Sequence, residues 1–160
     1  MSEFATLELH RKKRPSQEFT DGMRKTEREF LDFVINGQSL WQICEEERFD
    51  IVSCLWLPTI FESNVKRLLL EAPPSLSDGR CAIYICPECG GIDCGALVVR
   101  IEMLSDRVIW RDFAFVNSYE EYPLESFKIF DPVVFDLDAY RNLLLPLLQK
   151  NEVRADDQLS

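Results

Sequence analysis

Between Arg80 and Phe115 the chain gives up helical periodicity for three extended apolar segments, and the link between the first two holds three cysteines within nine residues. Arg80–Cys86, Ala96–Met103 and Arg107–Phe115 are rich in Ile, Val, Trp, Tyr and Phe, the residue types that suit a half-buried pleated surface. Leu104-Ser105-Asp106 is a short, polar-tipped connection, so the second and third segments are expected to pair as an antiparallel hairpin. Val99, Ile101 and Met103 then share one face, and Val98, Arg100 and Glu102 the other. With the first segment joined through Cys86-Pro87-Glu88-Cys89-Gly90-Gly91-Ile92-Asp93-Cys94-Gly95, residues 80–115 form a three-stranded meander.

Helical signals flank that meander. Ser39 and Gln42 have capping-box spacing and start a short helix through about Glu47, with Leu40, Ile43 and Cys44 inward. Thr59 and Glu62 repeat the spacing, and Phe61, Val65, Leu68 and Leu69 follow the i, i+4, i+7, i+8 pattern of an amphipathic helix that Pro73 and Pro74 end. Thr26 with Glu29 offers a further helix start. The competing reading places Phe30–Ile35 in a strand that ends at the Asn36-Gly37 turn signal. Phe49–Leu57 reads either as a buried strand or as irregular core-filling chain. Phe127–Phe135 adds an edge strand, because Pro132 lacks the donor a central strand needs. Asp136 caps a closing helix with Tyr140, Leu143, Leu144 and Leu147 on its apolar stripe, which Pro146 is expected to kink or end. The fold class is therefore α+β: a small antiparallel sheet packed with two to four helices.

At 160 residues the chain suits one domain, assigned to residues 29–150. A polar, partly flexible arm (residues 1–28, with a short strand near Thr6–Leu9) precedes it, and a disordered tail (residues 151–160) follows. Net charge is -10, and its distribution matters more than its size. Residues 1–28 carry seven Lys/Arg against five Asp/Glu, leaving eleven against twenty-three, or -12, for the rest. Such a body repels a phosphate backbone, which argues against direct nucleic-acid binding, and is drawn to a basic protein surface. No apolar run has the length of a membrane span, and no apolar stretch follows Arg11-Lys12-Lys13-Arg14 to make a secretory signal. Six cysteines without an export signal point to a reducing, cytoplasmic setting.

Three readings apply to the cysteine turn. Cys86 and Cys89 have the C-x2-C spacing that places two sulfurs across one tight turn, Gly90 and Gly91 permit that turn, and Cys94 supplies a third ligand for Zn2+. A fourth ligand is not evident among Cys81, Cys44, Cys54, His10 and Asp93. A dithiol redox motif normally has a helix after its second thiol to lower the first thiol's pKa, and here glycines and a strand follow. The third reading is that of small hydrophobes packed beside a glycine-rich turn.

Catalysis finds little support, since His10 is the only histidine and neither a phosphate-cradling loop nor a dinucleotide fingerprint occurs. Glu45-Glu46-Glu47 lies at a helix end where the macrodipole disfavours negative charge. Tyr119-Glu120-Glu121-Tyr122 mixes aromatic anchors with acids, a composition that suits contact with a basic partner. Either run also reads as plain solvated surface. Trp110, Asp112 and Phe113 alternate along one strand beside Arg111, and Asp112 reads either as a buried network member that needs an arginine or backbone donors or as a partner-contacting acid.

The run Ala82-Ile83-Tyr84-Ile85-Cys86-Pro87-Glu88-Cys89-Gly90-Gly91-Ile92-Asp93-Cys94-Gly95-Ala96, followed by Val108-Ile109-Trp110-Arg111-Asp112-Phe113, resembles a little-characterised bacterial family. Its members carry a YVCPECGDLGCGA core and then a VVWxDF strand. Ile35-Asn36-Gly37-Gln38-Ser39-Leu40, and Phe135-Asp136 before Tyr140, are similar too, so the resemblance spans residues 30–145. Gly91 and Asp93 depart from the acid-then-glycine order of that core. Some members are labelled oxidoreductase, a chemistry for which these residues supply no complete set. By analogy of class, small acidic bacterial proteins without catalytic residues often serve as immunity proteins. The expected function is thus an acidic, non-catalytic binding protein, an immunity or antitoxin protein that occludes a basic toxin through Glu45, Glu46, Glu47, Tyr119, Glu120, Glu121 and Tyr122. The alternatives are a structural zinc site at Cys86, Cys89 and Cys94, or a thiol oxidoreductase.

Overall fold

A computed structural model describes residues 4–20, 22, 24–47, 49–118, 121–123 and 131–159. In chain order the elements are β1 (Leu7–Arg14), β2 (Gln17–Glu18), β3 (Arg24–Lys25), β4 (Arg28–Ile35), β5 (Gln38–Ser39), α1 (Leu40–Glu46), β6 (Val52–Ser53) and β7 (Trp56–Leu57). There follow α2 (Glu62–Leu68), β8 (Cys81–Ile85), β9 (Ala96–Met103), β10 (Arg107–Val116), β11 (Glu121–Pro123), β12 (Val133–Asp136) and α3 (Leu137–Leu159). The α+β architecture expected from the alternating and helical patterns is the one found.

The meander β8–β9–β10 is antiparallel throughout and forms the middle of a sheet ordered β11–β10–β9–β8–β6. The outer edge of β10 is shared. β12 pairs with residues 107–110 and β11 with residues 114–116. Between these stretches the register of β10 against β9 jumps from Arg111 to Ala114. Asp112 takes a left-handed φ of 57° at that bulge, a conformation that a short polar side chain tolerates. The bulge corrects the expected strand phase: Trp110 and Phe113 both turn inward, while Asp112 is exposed and pairs with Arg100 at 3.1 Å.

A second sheet, β1–β4–β5 with β7 also on β4, packs against the first. Residues 28–35 are therefore a strand, and the helix start at Thr26 is not used. Residues 7–14, expected as an arm with a strand only near Thr6–Leu9, pair along their whole length with β4, from Leu7↔Ile35 to Arg14↔Arg28. Leu7 and Leu9 pack against the core, and the basic residues that follow find acids: Arg11 with Glu29, Lys13 with Glu27, Arg14 with Asp50. Only the tip is a separate two-stranded piece, β2–β3.

Trp110, fully buried, sits at the centre of the core. Its ring meets Phe33 of β4 at 5.5 Å, Phe135 of β12 at 5.3 Å and Tyr140 of α3 at 6.2 Å, all edge to face. Each such burial is worth roughly 1.5–3 kcal/mol and each ring pair about 0.5–1.5 kcal/mol more. The other face of β9 and β10 is covered separately, with Ala96, Val98, Ala114 and Val116 under Leu76 and Ile92.

Among the helices, Ser39 caps α1 as expected, its hydroxyl accepting from Gln42 N at 3.1 Å. Thr59 does not cap α2. Ile60 takes the inward position, so Phe61 becomes the N-cap without a side-chain bond and is 59% exposed. The helix stops before Pro73 and Pro74, because Leu70 turns left-handed (φ 59°) and the amides of Leu70 and Glu71 bond back to the carbonyls of Arg67 and Lys66. Asp136 caps α3 through Ala139 N at 3.0 Å. Pro146 leaves the carbonyl of Asn142 without its helical donor, but both residues lie on the exposed face, where water can serve it. The helical backbone continues to Leu159, across residues 151–159 that composition alone marks as a disordered tail.

Candidate metal centre

The meander sets the site. Cys86 follows the last residue of β8 and Cys94 lies two residues before β9, so strand pairing brings both ends of the turn together, with Cys89 at its middle. The turn is closed by Gly90 N donating to Cys86 O at 2.9 Å and Cys86 N donating to Gly91 O at 3.3 Å. Gly90 has φ 74°, and a Cβ there would come within 3.3 Å of the Trp56 ring. Gly95 has φ 141°, and its Cβ would collide with Phe115 at 2.8 Å. Both glycines are thus dictated by backbone shape and close packing.

The three sulfurs lie within 4.8 Å of one another, with Cys89 and Cys94 at 3.6 Å. Ligands of a tetrahedral ion with Zn–S bonds of about 2.3 Å stand about 3.8 Å apart, so the trio needs only small rotations to close on a metal. Cys89 and Cys94 are exposed, Cys86 half-buried. The Cys89 thiol is drawn below the ordinary value because the Gly91 amide, then the Cys86 and Cys94 thiols, hydrogen-bond its sulfur. Cys94, which must ionise beside Cys89 and Cys86, is pushed up to about 11. A divalent cation reverses that penalty by supplying the missing positive charge. Three cysteines able to hold a metal ion are therefore in place.

The other suggested ligands lie elsewhere. Cys44, Cys54 and Cys81 are buried in the core, and burial pushes the Cys44 and Cys54 thiols up to about 12. His10 sits on β1 beside Glu8, 3.6 Å away. Asp93 anchors the turn by its backbone, its carbonyl accepting from both N and Oγ of Ser118 at 3.1 Å. Among the described residues, the sulfur cluster contains Cys86, Cys89 and Cys94 alone. No helix follows Cys89, so the element that activates a dithiol redox centre is missing there.

A clamp that the motif does not announce holds the turn against the first hairpin. Glu88 accepts from Thr26 N at 2.7 Å, Thr26 Oγ1 at 2.6 Å and Arg14 Nη1 at 3.0 Å. Those two Thr26 bonds, then Arg14, hold its carboxyl down at about 2. Arg14, only 5% exposed, also takes Asp50 in a two-pronged pair at 3.0 and 2.8 Å. Arg28 donates to Pro87 O at 2.6 Å and lies 4.3 Å over the Trp56 ring. The Trp56 indole N–H is buried without a partner among the described residues.

The acidic residues are split between two places. Glu45, Glu46 and Glu47 are exposed at the end of α1, and none forms an ion pair with a described residue. Glu45 lines a cleft of about 360 Å³ with Arg14, Gln17, Lys25, Trp41 and Asp50. Glu121, at the start of β11, is bound to Arg80, which also holds Asp78. Tyr122 pairs with Phe115 by its backbone, and Tyr119 and Glu120 lie outside the described residues. No helix among the described residues is long and apolar enough to cross a membrane. No protein-family model, curated protein or solved structure matches the chain.

Proposed function

We propose that this chain is a thiolate metal-binding protein that holds Zn2+ between Cys86, Cys89 and Cys94 in a structural role. The observation that carries this reading is the convergence of three sulfurs within 4.8 Å of one another, close enough for small side-chain rotations to bring them to thiolate coordination. The turn is braced on both sides, by Glu88 to the first hairpin and by Gly95 to Phe115, so its backbone is in place before metal arrives and only the side chains must adjust. Three protein sulfurs leave the fourth tetrahedral position to water or another oxygen or nitrogen donor. Thiolates also favour soft ions, and zinc is the commonest to meet such a set.

Elemental analysis and Co2+ titration test it. Purified protein is expected to carry about one zinc per chain, and cobalt to give a sulfur-to-metal charge-transfer band that Cys89→Ser or Cys94→Ser abolishes. Metal-free protein that also gives no cobalt band sinks the reading.

A second reading is supported by the acids at the end of α1. Glu45–Glu47 remain exposed and unmatched by described cations, on a body of charge -12. That supports an immunity or antitoxin role, in which this face covers a basic partner in a reducing cytoplasm and kinship with the bacterial YVCPECGDLGCGA family is part of the same proposal. Calorimetry against the product of the adjacent gene should show binding that weakens at least tenfold in an E45Q/E46Q/E47Q variant at low salt, and undiminished affinity in that variant rules it out.

A further inference from the structure

Two of the three sulfurs differ from the third. Cys89 and Cys94 are both exposed and stand 3.6 Å apart, whereas Cys86 is half-buried at the end of β8. A disulfide bond is about 2.05 Å long, so this pair must close by about 1.5 Å. Gly90 and Gly91 lie between the two cysteines, and a Cβ on Gly91 would stand 3.5 Å from the Cys89 sulfur, so the glycine keeps the space beside that sulfur open. Cys86 is held differently, its amide and carbonyl both engaged in the turn. The Glu88 clamp ties the span between Cys86 and Cys89 to the first hairpin, and on the far side Ser118 holds the Asp93 carbonyl, so both backbone segments are anchored while the Cys94 side chain stays exposed.

We propose that Cys89 and Cys94 are a reversible oxidation site for hydroperoxides, and that their disulfide expels the metal; the second half rests on the metal-binding reading above. The Cys89 thiolate attacks the peroxide, an S–O bond forms, the O–O bond breaks, and the departing hydroxide or alkoxide takes from solvent the proton that Cys89 released on ionising, leaving as water or alcohol. The Cys94 thiol then attacks the Cys89 sulfur, an S–S bond forms, the S–O bond breaks, and the hydroxide departs with the Cys94 proton as water. Two thiols are oxidised, one peroxide is reduced, and a cellular dithiol reverses the reaction by exchange. Disulfide sulfurs carry no thiolate charge, so the ion keeps one ligand of three and is lost.

The site gains its sensitivity from exposure, because peroxide attacks sulfur itself and access to the sulfur sets the rate. Here two exposed sulfurs on a three-ligand ion remain open to attack from solvent.

The test treats the full-length reduced protein, with and without Co2+, with hydrogen peroxide. Thiol titration, peptide mapping and cobalt absorbance are then read. Expected are loss of two thiols per chain, a Cys89–Cys94 linkage with Cys86 still alkylatable, cobalt release at the rate of disulfide formation, and restoration of both signals by a dithiol reductant. C86S is expected to form the same linkage, whereas C89S and C94S form none. A Cys86–Cys89 linkage, an intermolecular one, or direct conversion to sulfinic acid overturns the proposal. Reduced protein that binds cobalt and keeps it after peroxide sinks this proposal alone. Reduced protein that never binds cobalt sinks the metal-binding reading and the release step, while the mapped linkage still decides the oxidation site.

Discussion

Glu88 is worth more than its place in the sequence suggests. It occupies one of the two spacer positions inside the C-x2-C turn, yet it closes a contact with Arg14 across 74 residues. In Glu88→Gln the hydrogen bonds from Thr26 partly survive and the charge on Arg14 is less well matched. A loss of about 1 kcal/mol is expected in denaturant unfolding, a modest figure because the carboxylate is partly exposed. The pH signature is directional. The folded-state value near 2 lies below the ordinary 4.5, so the unfolded chain binds the proton first. The stabilisation is complete above about pH 4.5, declines as pH falls, and is gone below about 2. Wild type should therefore lose its advantage over the glutamine variant across that window, and a difference independent of pH would exclude the clamp. Cysteine spacing was legible because C-x2-C has a local geometric meaning. The clamp was not, since nothing near Glu88 or Arg14 in sequence refers to the other.

At the scale of elements, β4 is joined to α1 and β8 through one buried acid. Asp32, fully buried, accepts from Ser39 Oγ, Trp41 N at 3.2 Å and the Tyr84 hydroxyl. The Tyr84 hydroxyl itself accepts from Phe33 N at 3.3 Å, and burial, with Asp32 alongside, raises its pKa well above the ordinary value. Tyr84→Phe strips one donor from a buried carboxylate and should cost about 2 kcal/mol, measured by denaturant unfolding; a cost below about 0.5 kcal/mol would contradict a fully dependent Asp32. Local signals found the elements whose pattern and burial agree: the meander, the Ser39 cap, the Asp136 cap. They found only the apolar start of β1, near Thr6–Leu9, because its later residues are charged and find their acids on β4 and beyond. They misplaced the start of α2, where Ile60 competes with Phe61 for the inward position.

For the molecule as a whole, the helices lock onto the sheet through Tyr140. Its hydroxyl donates to Leu68 O on α2 and accepts from Trp110 Nε1 on β10 at 3.3 Å, so one side chain joins two helices and the central strand. Tyr140→Phe leaves a buried carbonyl and a buried indole N–H unpaired, for an expected loss of about 2 kcal/mol. Faster amide exchange in α2 should accompany it, and unchanged protection in α2 would show that apolar packing alone docks the helices. The two ends of the sequence also meet, since Ala5 bridges Phe135 and its amide donates to Val134 O at 2.7 Å. During synthesis β1 can zip onto β4 as soon as Ile35 has emerged, because the two strands are antiparallel neighbours. The bridge from Ala5 to Phe135 closes only when β12 has followed, so the sheet of β1 and β4 can form well before it is tied to the sheet of β12.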